Sequence, residues 1–255
     1  MTTLVRSPFR SQLRAQVRAQ FRPHALKRAC ALLSIALVTG CATTGPVSKD
    51  DPWEPMNRAL YGVHDAIDTA VLRPAAEGYV AVVPQPVRQG VSNVFNNIND
   101  LFSGINGVLQ GKLDKAGDDF GRVLLNTGFG LGGIFDLASM MGIERGNEDF
   151  GQTFGVWGIP QGPYLFVPVV GPTTVRDGAG LALRFVWGPT YYVNEEAIRW
   201  SFYGIGYLDL RSEALDASKV VDTAALDRYT FIRNAYLQRR RYLVYDGKPP
   251  PEPEE

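Results

Sequence analysis

The chain has 255 residues, 45% of them hydrophobic, with 26 Lys and Arg against 26 Asp and Glu. That is enough apolar content for a folded core and too much for a disordered chain. Two Cys and two His exclude a disulfide scaffold and leave little for a histidine-rich metal site, and no run of 18 or more apolar residues reads as a spanning helix.

The zero net charge averages two unlike segments. Residues 1–40 hold seven of the 26 basic residues (Arg6, Arg10, Arg14, Arg18, Arg22, Lys27 and Arg28) and no acidic one, which leaves 19 basic against 26 acidic from Cys41 onward. A body near −7 argues against nucleic acid as partner, because phosphate binding needs a basic face. After the basic run, Ala29 to Val38 supply ten mostly apolar residues, the length of a signal h-region and too short to cross a bilayer. Val38-Thr39-Gly40-Cys41 follows, similar to the bacterial lipobox, in which small residues enter a peptidase cleft and the thiol takes diacylglycerol. The arginines spaced every four residues also resemble a mitochondrial presequence, but the lipobox decides against that. Residues 1–40 are therefore expected to be a cleaved lipoprotein signal peptide, Cys41 the lipid attachment site, and residues 41–51 a lipidated flexible tether. More than one acyl chain gives stable anchoring, at ~0.8 kcal/mol per buried CH₂.

In the body, Leu60, Tyr61, Val63, Ile67, Val71 and Leu72 mark a helix over residues 57–72 that Pro74 ends. Pro84 and Pro86 start the clearest helix. Its apolar residues run from Val87 to Leu109 with a 3.6 period, opposite a face of Arg88, Gln89, Ser92 and six Asn or Asp residues. Periodicity alone leaves two readings: a surface helix with its apolar face on the core, or a helix in a lipid interface. A shorter helix carries Leu113, Ala116, Phe120, Val123 and Leu124. Residues 121–180 then hold 14 of the 27 glycines, interleaved with aromatics, and read as compact loops with short helical or extended pieces. Tyr164 to Val170 could form a short strand, which Pro168 demotes. Helices are expected at about 180–186, 194–203 and 223–245. Arg239, Arg240 and Arg241 in the last one suit a helix C-terminus and solvent. The tail, residues 246–255, is Pro- and Glu-rich and expected to be disordered.

Catalytic motifs are mostly absent. Gly128-Phe129-Gly130-Leu131-Gly132-Gly133 matches G-x-G-x-x-G, but a helix rather than a strand precedes it, so no dinucleotide site is expected. No G-x-S-x-G occurs, and any Ser-His-Asp chemistry would have to use His64, whose simpler role is a helix-surface or interface histidine. Asp118-Asp119 and Glu148-Asp149 are adjacent carboxylates and read as solvated faces. No catalytic residue, metal ligand or cofactor is expected.

The segments D-P-W-E-P-M-N-R (51–58), V-L-R-P (71–74), V-P-Q-P-V-R-Q-G-V-S-N (83–93), R-V-L-L-N-T-G-F-G-L-G-G-I-F-D-L-A (122–138), E-D-F-G-Q-T-F-G-V-W-G (148–158) and G-P-Y-L-F-V-P-V-V-G-P-T-T-V-R-D-G-A-G (162–180) stand in an order and spacing that resembles the MlaA/VacJ family of outer-membrane lipoproteins. The resemblance spans residues 51–245. It implies a mainly α fold at 52–245, a ring-like bundle of amphipathic helices with glycine-rich loops, lipid-anchored on the periplasmic side of the outer membrane. It further implies an amphipathic channel that removes phospholipids from the outer leaflet for retrograde transport, with a trimeric porin and a periplasmic carrier similar to MlaC as partners. On the matching motif, Gly128, Gly130, Gly132 and Gly133 are candidates for a channel wall. The rival functions are a periplasmic-face lipoprotein hydrolase, which would need His64, and a structural porin-associated lipoprotein.

Overall fold

The computed structural model describes residues 51–251. The signal segment 1–40, Cys41, residues 42–50 of the tether and residues 252–255 of the tail lie outside the described residues. The described chain is mainly helical, with a single hairpin as its strand content. No described helix is long and apolar enough to cross a membrane.

Helix α1 (Glu54–Ile67) opens with Pro55 in its first turn, where a missing N–H costs nothing. It does not stop before Pro74. A five-residue π turn, Asp68–Leu72, joins it to α2 (Arg73–Val82), and Pro74 falls in the first turn of α2. The wide turn absorbs the hydrogen bond that proline cannot make, so the helix continues where the sequence reading ended it. Val83 is extended and Pro84 caps α3 (Gln85–Leu109), as the two prolines suggested. At 25 residues α3 runs about 38 Å. It packs antiparallel beside α4 (Leu113–Gly128) across a three-residue connection. Close approach is bought by glycine: a Cβ on Gly104 would lie 2.9 Å from the Phe120 ring, and one on Gly107 3.0 Å from the Ala116 methyl.

Beyond α4 come the short helices α5 (Leu137–Met140) and α6 (Phe150–Val156), capped by Asp136 and Asp149. The strands β1 (Tyr164–Val167) and β2 (Gly171–Thr174) pair antiparallel, Tyr164 opposite Thr174 and Val167 opposite Gly171. Pro168 therefore sits in the turn and limits the strand rather than removing it. Helix α7 (Val175–Trp187) starts five residues before the expected Gly180, because the Thr174 hydroxyl accepts the Asp177 N–H at 3.2 Å. Helix α8 (Glu196–Glu213) runs ten residues past Tyr203. Its glycines do not break it; Gly206 instead admits the Phe95 ring of α3, 2.7 Å from where a Cβ would stand. The expected last helix at 223–245 is α10 (Arg228–Val244), and before it stands a helix the sequence reading did not give, α9 (Leu215–Ala224). Asp227 begins the second by accepting the Thr230 N–H and hydroxyl.

One apolar cluster joins the hairpin to α1 and α10: Tyr164, Phe166 and Tyr229 are buried, with Leu60, Tyr61, Ile232 and Leu237 packed around them. Tyr61 meets Phe166 edge-on at 5.3 Å. The D-P-W-E-P-M-N segment fastens the chain's start to this cluster. Buried Asn57 donates to Asp51 Oδ1 at 2.8 Å and to the Tyr164 carbonyl at 3.0 Å, and accepts the Phe166 N–H at 2.9 Å. Tyr229 donates to Asp51 Oδ2 at 2.5 Å.

Candidate functional site

The interior is polar and the surface greasy. Among the described residues, eight hydrophobic residues are buried against 21 polar or charged ones, while large apolar side chains are exposed along most of the elements. The long helix shows the inversion best. Its buried face is Ser92, Asn93, Asn97, Asp100, Ser103 and Asn106, while Val87, Leu101, Val108 and Leu109 face out. The reading of an apolar face turned to the core is thus reversed, apart from Phe102. Ser92, Asn93, Asn97 and Asn106 each bond a residue outside the helix, as buried polar groups require, although Asn97 Oδ1 itself has no partner. Ser92 Oγ donates to Asp209 Oδ2 at 2.8 Å, Asn93 Nδ2 to the Ile134 carbonyl at 2.8 Å and Asn97 Nδ2 to Thr127 Oγ1 at 2.9 Å, and Asn106 Oδ1 accepts from Thr153 Oγ1 at 2.7 Å.

Two ion clusters complete this interior. Arg122 on α4 is fully buried; it donates to Asp100 Oδ2 at 2.9 Å, to both Asp136 oxygens at 3.0 Å and to the Ile143 carbonyl at 2.6 Å. Arg145 bridges the same two carboxylates. Burial raises Asp100 above the usual carboxylate range, against the pull of Arg145 and Arg122. At Asp136 burial is outweighed by hydrogen bonds from Ser139, Asn126 and Arg122, which hold the carboxyl down at about 2. In the second cluster Arg240 reaches Asp177 Oδ2 at 3.0 Å and Asp149 Oδ1 at 2.9 Å. Arg240 is therefore a buried tie between α10, α7 and α6 rather than a solvated end-of-helix cation. The carboxylate pairs are corrected in the same way. Asp119 is buried and accepts the Gly146 N–H at 2.8 Å, and Glu148 is buried against Lys112 at 3.0 Å. Neighbours on a helix do point apart: Asp118 is exposed.

The four glycines proposed as a wall form one turn after α4. Gly128 ends the helix with open space where a Cβ would go, and Gly132 is equally open but at φ +72°. Gly130 is buried, its Cβ position filled by the Phe135 and Asn126 carbonyl oxygens, and Gly133, at φ +96°, lies against Asn97. Hydrogen bonds from Gly133 N to Asn126 O at 2.8 Å and from Phe135 N to Gly130 O at 2.9 Å hold the turn. It leaves Phe129, Leu131, Ile134 and Phe135 exposed, as are Met140 and Met141 at the α5 end.

A cleft of about 340 Å³ opens between α1, the π turn, the hairpin tip, α8, α9 and α10. Val169, Val170, Leu210, Val221 and Ile232 form apolar wall, and Asp65, Asp68, Arg73, Arg211, Asp222 and Arg228 bring six charges. His64 lies at its rim with Nδ1 accepting the Val169 N–H at 3.1 Å, and Tyr207 donates to the Val169 carbonyl at 2.9 Å. These two bonds hold Val169 at φ +71°. Burial lowers the His64 pKa, opposed by Asp68 and Asp65. His64 is an interface histidine, as its place in the sequence suggested. Asp68, lowered chiefly by its hydrogen bond from Arg211, accepts both Nε and Nη2 of that residue, at 2.6 and 2.8 Å. Sequence reasoning missed this cleft. Arg73 stands in the V-L-R-P segment, but its neighbours Arg211 and Asp222 lie more than 130 residues away, and no local spacing links them.

No group of His, Cys, Asp or Glu that could hold a metal ion is present among the described residues. The family model described as MlaA lipoprotein matches residues 49–243. The intermembrane phospholipid transport system lipoprotein MlaA of Haemophilus influenzae is 34% identical over 234 residues, which cover 86% of this chain and 90% of that protein. The protein of the same name from Escherichia coli K12 is 31% identical over 235 residues, covering 89% and 92%. A solved structure, described as the structural basis for maintenance of bacterial outer membrane lipid asymmetry, matches with a TM-score of 0.68 at 29% identity, over 77% of this chain and 100% of that one.

Proposed function

Because the chain belongs to the MlaA lipoprotein family, we propose that it removes phospholipids from the outer leaflet of the outer membrane for retrograde intermembrane transport. It acts without covalent chemistry. The inverted burial carries this reading: 21 buried polar residues and a surface rich in Val, Leu, Phe and Trp suit a body whose outside meets hydrocarbon and whose inside meets headgroups. A soluble enzyme of this size would bury those side chains instead. With no described helix long enough to span, Cys41 supplies the anchor on the periplasmic side, and the helical domain lies in the inner leaflet. An amphipathic channel through the bundle passes the headgroup, with the Gly128–Gly133 turn as part of its wall. A trimeric porin holds the protein in place, and a periplasmic carrier similar to MlaC takes the lipid away.

The test is purification of the lipidated protein with its porin, followed by extraction of bound lipid and transfer to the soluble carrier. Co-purified phospholipid that moves to the carrier is the expected result. Absence of both bound lipid and transfer would leave the structural role alone.

A further inference from the structure

The six charges of the cleft are joined end to end by ion pairs. Arg211 meets Asp68 at 2.6 Å, Asp68 lies 3.6 Å from Arg73, and Arg73 meets Asp222 at 3.1 Å. Asp222 is paired in turn with Arg228, which reaches Asp65 at 3.2 Å. The array is neutral as a whole and alternates in sign, and its two ends are unfinished. At one end the Arg211 side chain is nine-tenths buried, yet its Nη1 has no acceptor. At the other end Asp65 is 42% exposed and has a single partner, Arg228. A buried guanidinium N–H without an acceptor is costly and marks a place where an acceptor belongs. Asp65 and Asp68 stand three residues apart, across the end of α1 into the π turn, so the unpaired donor beside Asp68 and the partly exposed Asp65 carboxylate lie about one helical turn apart. The apolar wall beside them lowers the local dielectric and strengthens both ends.

We propose that this cleft selects a zwitterionic phospholipid headgroup of the phosphoethanolamine type. A phosphodiester oxygen accepts from Arg211 Nη1, the ammonium donates to Asp65, and the glycerol and first chain carbons rest on Val169, Leu210 and Ile232. A headgroup with one anion and no cation fills only the arginine end. It leaves a neutral array holding an uncompensated charge in a partly desolvated place, which is unfavourable. The inference rests on the phospholipid reading of the whole protein and adds the headgroup class to it.

The test uses the full lipidated protein in detergent micelles, titrated by calorimetry with dihexanoyl phosphatidylethanolamine, dihexanoyl phosphatidylglycerol and inorganic phosphate. The expected result is binding of the ethanolamine lipid at least tenfold tighter than the glycerol lipid, with inorganic phosphate failing to compete at equal concentration. Asp65→Asn, at an exposed position that leaves the Asp68 pair intact, should bring the two lipids within twofold of each other. Arg211→Gln should weaken both. Equal binding of the two lipids to the unaltered protein, discrimination that survives Asp65→Asn, or displacement by phosphate would each overturn the proposal. Transfer to the carrier measured on the same preparation separates the two readings: transfer without discrimination overturns headgroup selection alone, whereas no lipid binding and no transfer removes both.

Discussion

At the scale of single residues, the interior is held by charges that leave little room for substitution. Arg122 satisfies Asp100 and Asp136 and a carbonyl while being fully buried. Arg122→Met keeps most of the volume but leaves two carboxylates without their main cation, and breaking a buried pair from one side costs about 3–5 kcal/mol. Chemical denaturation in detergent should show the loss, and a change under 1 kcal/mol would mean that water already solvates the pair. Asp136 adds a pH dependence with a definite sign. Its folded pKa is depressed from 3.8 to about 2, so its contribution is present above about pH 4 and is lost as pH falls toward 2. The thermal midpoint should drop over that window, and Asp136→Asn should flatten the drop. His64 has the same sign at higher pH: burial keeps the ring neutral, and the stability tied to it fades as pH falls below its ordinary 6.5.

At the scale of elements, glycines decide how closely the helices approach. Gly107 faces Ala116 where α3 and α4 cross, and a leucine there would force the helices apart. Gly107→Leu should cost about 1–3 kcal/mol by overpacking, measured as a lower denaturation midpoint, whereas Gly117→Ala on the open side of α4, with no atom near its Cβ position, should be neutral or slightly stabilising. The Gly128–Gly133 turn divides by the same criterion. Gly130 and Gly133 have no room, and Gly132 needs a positive φ, but Gly128 is open and helical. Bulk added by Gly128→Leu should therefore leave the melting behaviour unchanged while raising surface phospholipid in cells, if the turn is wall. Normal surface lipid in a well-folded Gly128→Leu protein would remove the turn from the transport path. The elements also explain the misplaced boundaries. Pro74 and the glycines of α8 are breakers in isolation, yet a π turn accommodates the first and helix contact uses the second.

At the scale of the whole molecule, an exposed apolar surface and the absence of a spanning helix among the described residues make the proposed anchor at Cys41 decisive. Cys41→Ser should release the protein from the membrane fraction after osmotic shock, because interfacial burial of the helices alone is reversible whereas multiple acyl chains are not. Retention of Cys41→Ser in washed outer membranes would place the anchoring in the helices instead.

The sequence by itself determined that α3 has two faces, since a 3.6 period over more than 20 residues allows nothing else. It also marked the start at Pro84 and gave motif order enough to indicate the family. It could not say which face of α3 turns inward. An amphipathic helix obeys the same periodicity in water and against lipid, and the choice depends on whether its polar groups find partners. Those partners are far away in the chain: Asp209 for Ser92, Thr153 for Asn106, Ile134 for Asn93. The cleft and its row of alternating charges are likewise assembled from residues more than 130 positions apart. Only tertiary structure brings such groups within hydrogen-bond range, because local spacing fixes neighbours along one helix and folding fixes neighbours between helices.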